Sequence, residues 1–259
     1  MADDIMRKYW DTPPVARTIA TAAFVCSVCV HFGFLSGYYF LYDPYFLKMM
    51  PPQVWRFVTC FLITGPGLSI LFDTYFLYSF LSQLEKSHPR LAVQPDLIWY
   101  LVFITGTIQV LSHLSGFVYP QLLSALIVAL CYTATQEQRG ARTNYMFFDI
   151  PTQTMPFAMM AVSLFMGGLG LVIHQLHGLV AAHLFLFLSK IWPDICGGRN
   201  IVSAPAFVSG LVDKLGGAAA RRPPAQAQSQ SQSQSQSSGR NTGVLPDSWR
   251  TRGPGHRLG

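Results

Sequence analysis

The stretch MPFAMMAVSLFMGGLGLVIHQLHGLVAAHLFLFL, residues 155 to 188, decides the fold. It is almost wholly apolar, and at about 1.5 Å per residue it is long enough to cross a bilayer twice. It must therefore turn back on itself, and the glycines around Gly168 are the natural bend. The returning half carries His174, Gln175, His177, Gly178, Ala182 and His183. Imidazole and amide groups at lipid depth are costly, and they face a bundle interior or a wet cavity.

Composition extends this reading to the rest of the chain. Of 259 residues, 51% are hydrophobic and 12% charged, and the mean hydropathy is +0.32. Soluble domains carry roughly 25% charged residues. The deficit indicates an all-α polytopic membrane protein with a polar tail. Residues 1–17 mix acids, bases and prolines with no apolar core before a small-residue cleavage site, so no cleavable signal is expected.

Six spans fit the hydropathy, at about 18–41, 57–81, 97–117, 118–135 and the two halves of 155–188. The domain layout is a cytosolic segment 1–17, a membrane domain 18–193, a juxtamembrane segment 194–216 and a disordered tail 217–259. Gly65-Pro66-Gly67 predicts a local break early in the second span. Residues 136–151 read as a polar loop. With the N-terminus in the cytosol, all of the 18 basic residues but Lys48 and Arg56 lie on the cytosolic side, as the positive-inside rule prefers. Both termini are then cytosolic. The +6 charge is a topology signal; the basic residues are scattered with no aromatic platform, so no nucleic acid is expected as a partner.

Individual residues carry less. Cys26 and Cys29 form a CxxC inside an apolar span with no second pair, which reads as packing. His174 and His177, one helical turn apart, lack an evident third ligand, so neither a metal nor a cofactor is expected. His183 follows Ala182, where a partner helix could approach Gly178 closely and accept a bond from the ring. Asp73, mid-span, could be an ion site, a partner for an interior histidine or a gate residue. Residues 226–238 alternate Gln and Ser and cannot bury enough apolar surface to fold. They form a spacer, and a tether with a sticky end would raise the local concentration of a soluble partner.

In combination these features resemble the derlin family, rhomboid-fold membrane proteins without protease activity. The resemblance is carried by Trp55-Arg56 after an aromatic loop, by Gly65-Pro66-Gly67 and Tyr75-Phe76-Leu77-Tyr78 in the second span, by Gly178 and Ala182 at GxxxG-like spacing before His183, and by Gly197-Gly198-Arg199-Asn200. It implies a rhomboid-like six-transmembrane helix bundle in the endoplasmic reticulum membrane. It also implies a role in endoplasmic-reticulum-associated degradation, moving misfolded proteins toward ubiquitin ligase and proteasome. Gly255, His256, Arg257, Leu258 and Gly259 are similar to the terminal box with which derlins bind a cytosolic AAA ATPase of the valosin-containing-protein type, with His256 where an aromatic is usual. A membrane ubiquitin ligase complex, that ATPase, misfolded substrates and the lipid bilayer are the implied partners. Rhomboid relatives open laterally between the second and fifth spans; Gly65, Pro66, Gly67, Ser69 and Asp73 would line that gate, and the first loop, with Trp55 at the interface and Arg56 snorkelling to headgroups or bonding loop carbonyls, would wedge into the lumenal leaflet.

An active rhomboid-type serine protease is the sharpest rival. It needs a Ser nucleophile in the fourth span and a His on the sixth to take its proton. The family pattern GxSG reads Leu122-Leu123-Ser124-Ala125 here, and the protease His position, three residues before Gly178, is Gln175. An amide is no general base near neutral pH. A small-molecule or ion transporter is the third class, but transport through repeats predicts an internal symmetry that this chain lacks.

Overall fold

The computed structural model describes residues 9–10, 12–43, 45, 53–89, 91–117, 119–136, 138, 140–145, 148–196, 202, 205, 207–210 and 212. The Gly197–Asn200 motif, the Gln/Ser spacer and the terminal box lie outside them. The chain divides between Leu215 and Gly216, and every described residue belongs to the first unit.

Helix α1, Pro14–His31, begins on a proline whose fixed φ suits a first helical position. Its free first-turn amides are taken by another helix: the Glu85 carboxylate accepts from Val15 N at 3.3 Å and Ala16 N at 3.0 Å. Ala16, Ala20, Ala23 and Ser27 form a buried small-residue face against α3, Ser69–Ser87. Small side chains let helix backbones come close where lipid offers no hydrophobic drive. A short helix α2, Arg56–Thr59, precedes α3.

Helix α4, Gln94–Ser115, has a proline in its first turn and ends on Gly116 at φ 72°, the left-handed conformation glycine adopts without penalty. Helix α5, Leu123–Gln136, is buried nearly all round and is the hub on which α3, α4 and α6 pack. Its 14 residues reach about 21 Å, short of the roughly 30 Å of a bilayer core. Tyr100 of α4 is wholly buried, bonds Thr133 Oγ1 of α5 at 2.7 Å, and meets Phe185 edge-on at 4.7 Å.

Helix α6, Met155–Leu186, contains the bend. Gly168 stands at φ 72°, ψ −174°, and the limbs on either side fold back on each other. Gln175 Nε2 donates to Ser163 Oγ at 2.8 Å; twelve residues along a straight helix span about 18 Å. A π-helical turn, Phe187–Ile191, and α7, Trp192–Cys196, follow.

Among the described residues, three helical stretches are long and apolar enough to cross a membrane: Pro14–His31, Gln94–Ser115 and the folded Thr152–Ile191. The expected spans 18–41 and 118–135 are the helices Pro14–His31 and Leu123–Gln136, and two further elements differ in kind from the hydropathy reading. The second span is not one helix from 57: it is α2, an irregular stretch from Cys60 to Leu68, then α3 running past 81 to Ser87. The break is wider than Gly65-Pro66-Gly67 because Ser27, His31 and Gln109 on neighbouring helices supply the missing backbone partners. The polar loop 136–151 contains a hairpin, β1 Arg142–Tyr145 with β2 Phe148–Pro151, closed by Thr152 N to Ala141 O at 3.0 Å. Beyond α7, Phe207 meets the Trp99 ring at 6.3 Å, and Val208 and Val212 are buried, so this apolar segment lies against the bundle.

Candidate functional site

Two polar clusters sit inside the apolar bundle. The first is built on the irregular backbone ahead of α3. Arg56 is 1% exposed, while its neighbour Trp55 is 50% exposed. The Arg56 guanidinium donates to the carbonyls of Tyr38 and Leu41 and to Gln53 Oε1 at 2.6 Å, and it stands 4.9 Å from the Tyr38 ring centroid. It therefore ties the loop after α1 to the start of α2. The stem is apolar, and the planar fork reaches three acceptors from two nitrogens in a fixed geometry, which the single nitrogen of an ammonium does not reproduce.

The stretch from Cys60 to Thr64 is largely buried without being helical, so its backbone groups need partners. Ser27 of α1 donates to Leu62 O at 3.2 Å and accepts from Thr64 N at 3.0 Å. The His31 ring pairs with Thr64 O at 3.1 Å. Gln109 of α4 donates to Phe57 O at 2.6 Å. Leu122 N, just before α5, donates to Cys60 O at 3.0 Å. Gly65, Pro66, Gly67, Ser69 and Asp73 gather at the entry to α3. There the Gly65 amide donates to the Asp73 carboxylate, Gly67 takes φ 68°, and a Cβ on Gly65 would sit 3.1 Å from Ser69. Leu68, Leu71, Phe72 and Tyr75 are exposed beside them.

The second cluster lies where α6 returns along α5. The approach is so close that a Cβ on Gly178 would fall 2.0 Å from the Ala125 carbonyl oxygen. Ala181 and Ala182 are fully buried in the same contact. His174 is buried and stacks on Tyr119 at 5.3 Å with 15° between planes; His177 meets it edge-on at 6.1 Å. His183 Nδ1 pairs with Tyr132 OH on α5 at 2.9 Å. Gln175 is held by Ser163, on the other limb of α6. Ser124 Oγ is buried with no hydrogen-bond partner among the described residues, so neither His174 nor His177 is placed as its base. Among the described residues no three His, Cys, Asp or Glu side chains could share a metal ion, and Cys26 and Cys29 are free thiols.

The structure thus brings His174, Gln175, His177, Gly178, Ala182 and Ser124 together and separates them from Trp55 and Arg56. Sequence reasoning missed Ser27, His31 and Gln109, which hold the irregular stretch. Gln109, an amide in the middle of an apolar span, is itself the signal that could have found it.

A family model described as the Der1-like family matches residues 12–206. Derlin-1 of Arabidopsis thaliana is 28% identical over 207 residues, covering 79% of this chain and 76% of that protein. Derlin-1 of Homo sapiens is 27% identical over 216 residues, covering 79% and 81%. DER1-like family member protein 1 of Saccharomyces cerevisiae is 28% identical over 161 residues, covering 57% of this chain and 47% of that protein.

Proposed function

Since the chain belongs to the Der1-like family, whose members act in endoplasmic-reticulum-associated degradation, we propose that it is a non-proteolytic retrotranslocation factor. In this reading it sits in the endoplasmic reticulum membrane with both termini in the cytosol. It moves misfolded lumenal or membrane proteins outward for ubiquitin-proteasome degradation.

The observation that carries the non-proteolytic half is the state of the residues that cleavage would need. Gln175 stands at the general-base position and is tied to Ser163, while the Ser124 hydroxyl has no histidine to take its proton. The transport half is supported by the irregular backbone ahead of α3, beside the exposed Leu68, Leu71 and Phe72. The buried α5 is ringed by other helices, so the bilayer thins where it meets outer helices such as α1, whose 18 residues reach about 27 Å, at a modest cost per ångström. A thinner, partly polar zone lowers the cost of carrying unpaired backbone groups through lipid. Gly65, Gly67 and Ser69 then leave room for a substrate at a lateral gate beside α3, with Asp73 as its polar edge. Exposed Trp55 inserts in the lumenal leaflet, where aromatic rings favour the interface. The tail delivers the client to the AAA ATPase through Gly255–Gly259, and a membrane ubiquitin ligase completes the path.

The decisive experiment is photocrosslinking in native membranes, with probes at residue 69 and in the terminal box. Adducts with a ubiquitin ligase subunit, with a misfolded client and with the ATPase are expected. Recovery of none of the three, or labelling of Ser124 by a serine-directed fluorophosphonate, overturns the reading.

A further inference from the structure

A groove of about 400 Å³ runs between α1 and α3, its α3 wall starting at Leu71 beside the first cluster. One wall is Ala20, Thr21 and Phe24 of α1, and the other is Leu71, Thr74, Tyr75 and Tyr78 of α3. The surface inside is almost entirely apolar along its length and changes character at one end. There Arg17 lies 4.3 Å from the Trp10 ring centroid and 5.1 Å from that of Tyr9, and its Nη1 donates to the carbonyls of both residues. Among the described residues Nη1 alone makes hydrogen bonds, which leaves the Nε and Nη2 donors of a five-donor fork for a ligand. Among the same residues the acid that feels its charge is Glu85, and both carboxylate oxygens of Glu85 are engaged by Val15 N and Ala16 N. Thr74 and Thr21 turn their hydroxyls back onto their own helices, to Ile70 O and Arg17 O, so they leave the walls apolar.

An occupant must therefore be a slender apolar body with an anionic end. We propose that this groove holds one acyl chain of an anionic phospholipid, its phosphate bonded by Arg17. The polarity of the groove selects this occupant over a translocating peptide, whose run of backbone amides would find only the Tyr75 and Tyr78 hydroxyls along the walls. It also selects an anionic over a zwitterionic lipid, because only the anionic headgroup keeps a net negative charge beside the Arg17 guanidinium.

The test uses the full chain in nanodiscs of equal phosphatidylcholine and phosphatidylserine, with retained lipid counted by native mass spectrometry. The wild type should retain phosphatidylserine in roughly five- to tenfold excess, the scale of one cation's contribution at a membrane surface. Arg17→Lys should keep most of that preference. Arg17→Gln should lose it while still carrying lipid. Thr74→Phe, or Thr21→Phe from the opposite wall, should fill the groove and reduce retained lipid of both kinds. The proposal is overturned by an unselective wild type, by an Arg17→Gln protein with undiminished preference, or by a photoreactive leucine at 71 that crosslinks to polypeptide rather than lipid.

Discussion

The contact of α5 with the returning limb of α6 and the irregular stretch from Cys60 to Leu68 solve one problem in opposite ways. Both put backbone at lipid depth. The α5–α6 contact leaves its helical backbone unbroken and removes side chains, so Gly178 lies on Ala125 with no room for a methyl group. The irregular stretch breaks its helix and borrows side chains, from Ser27, His31 and Gln109, to satisfy what the break exposes. The first device depends on what is missing and tolerates nothing added. The second depends on what is present and fails piecemeal. A bundle with one rigid seam and one adaptable stretch can deform at the second without losing the first.

Gly178→Ala should break the rigid seam. A Cβ at 2.0 Å from a backbone oxygen forces the helices apart, at about 3 kcal/mol or more, the upper end of overpacking. Thermal unfolding of the detergent-purified protein should show a larger loss than any single substitution in the irregular stretch produces. An unchanged midpoint would mean the helices do not approach so closely.

Arg56→Ala attacks the adaptable side at its anchor. It leaves the Tyr38 and Leu41 carbonyls without their charged donor, at about 2–3 kcal/mol, and Arg56→Lys should recover only part of this because it lacks the planar fork. Trp55→Ala is the contrast: half exposed, it should leave the unfolding midpoint near wild type yet lengthen the half-life of a misfolded lumenal client. Equal stability losses for the two neighbours would dissolve the distinction between a buried tie and a lipid contact.

Gln109→Leu sharpens the comparison, since it removes one borrowed donor and leaves Phe57 O with only the weak thiol donor of Cys60. About 1–2 kcal/mol should be lost, and cysteine accessibility should rise at Cys60, whose sulfur Gln109 also contacts. The smallest effect belongs to the Tyr132–His183 pair at the edge of the seam. Tyr132→Phe should cost about 0.6 kcal/mol, the average for a hydrogen bond between membrane helices. A loss as large as that of Gly178→Ala would make polar bonding, rather than close approach, the basis of the seam.

Much of this was legible in the residues. The turn at Gly168 followed from an apolar run too long for one crossing, and a hydrogen bond between Ser163 and Gln175 closes it. Small residues at 178 and 182, four apart and so on one helix face, signalled a close helix contact. The extent of the break before α3 was not legible. Hydropathy averages over a window and treats Phe57 to Leu81 as one apolar run, although Cys60 to Leu68 leaves the helix. Nor could it assign Trp55 and Arg56, adjacent in sequence, to opposite environments.

Sequence alone determined that this chain lives in a membrane and folds back at a glycine turn. Those properties are set by residue chemistry and by spacing along one segment. Only the tertiary structure decided which polar groups meet: Gln109 under Phe57, Arg56 under the loop after α1, Glu85 on the start of α1. Such partners lie tens of residues apart, and a buried backbone group is satisfied by whichever donor the packing of whole helices brings within bonding distance.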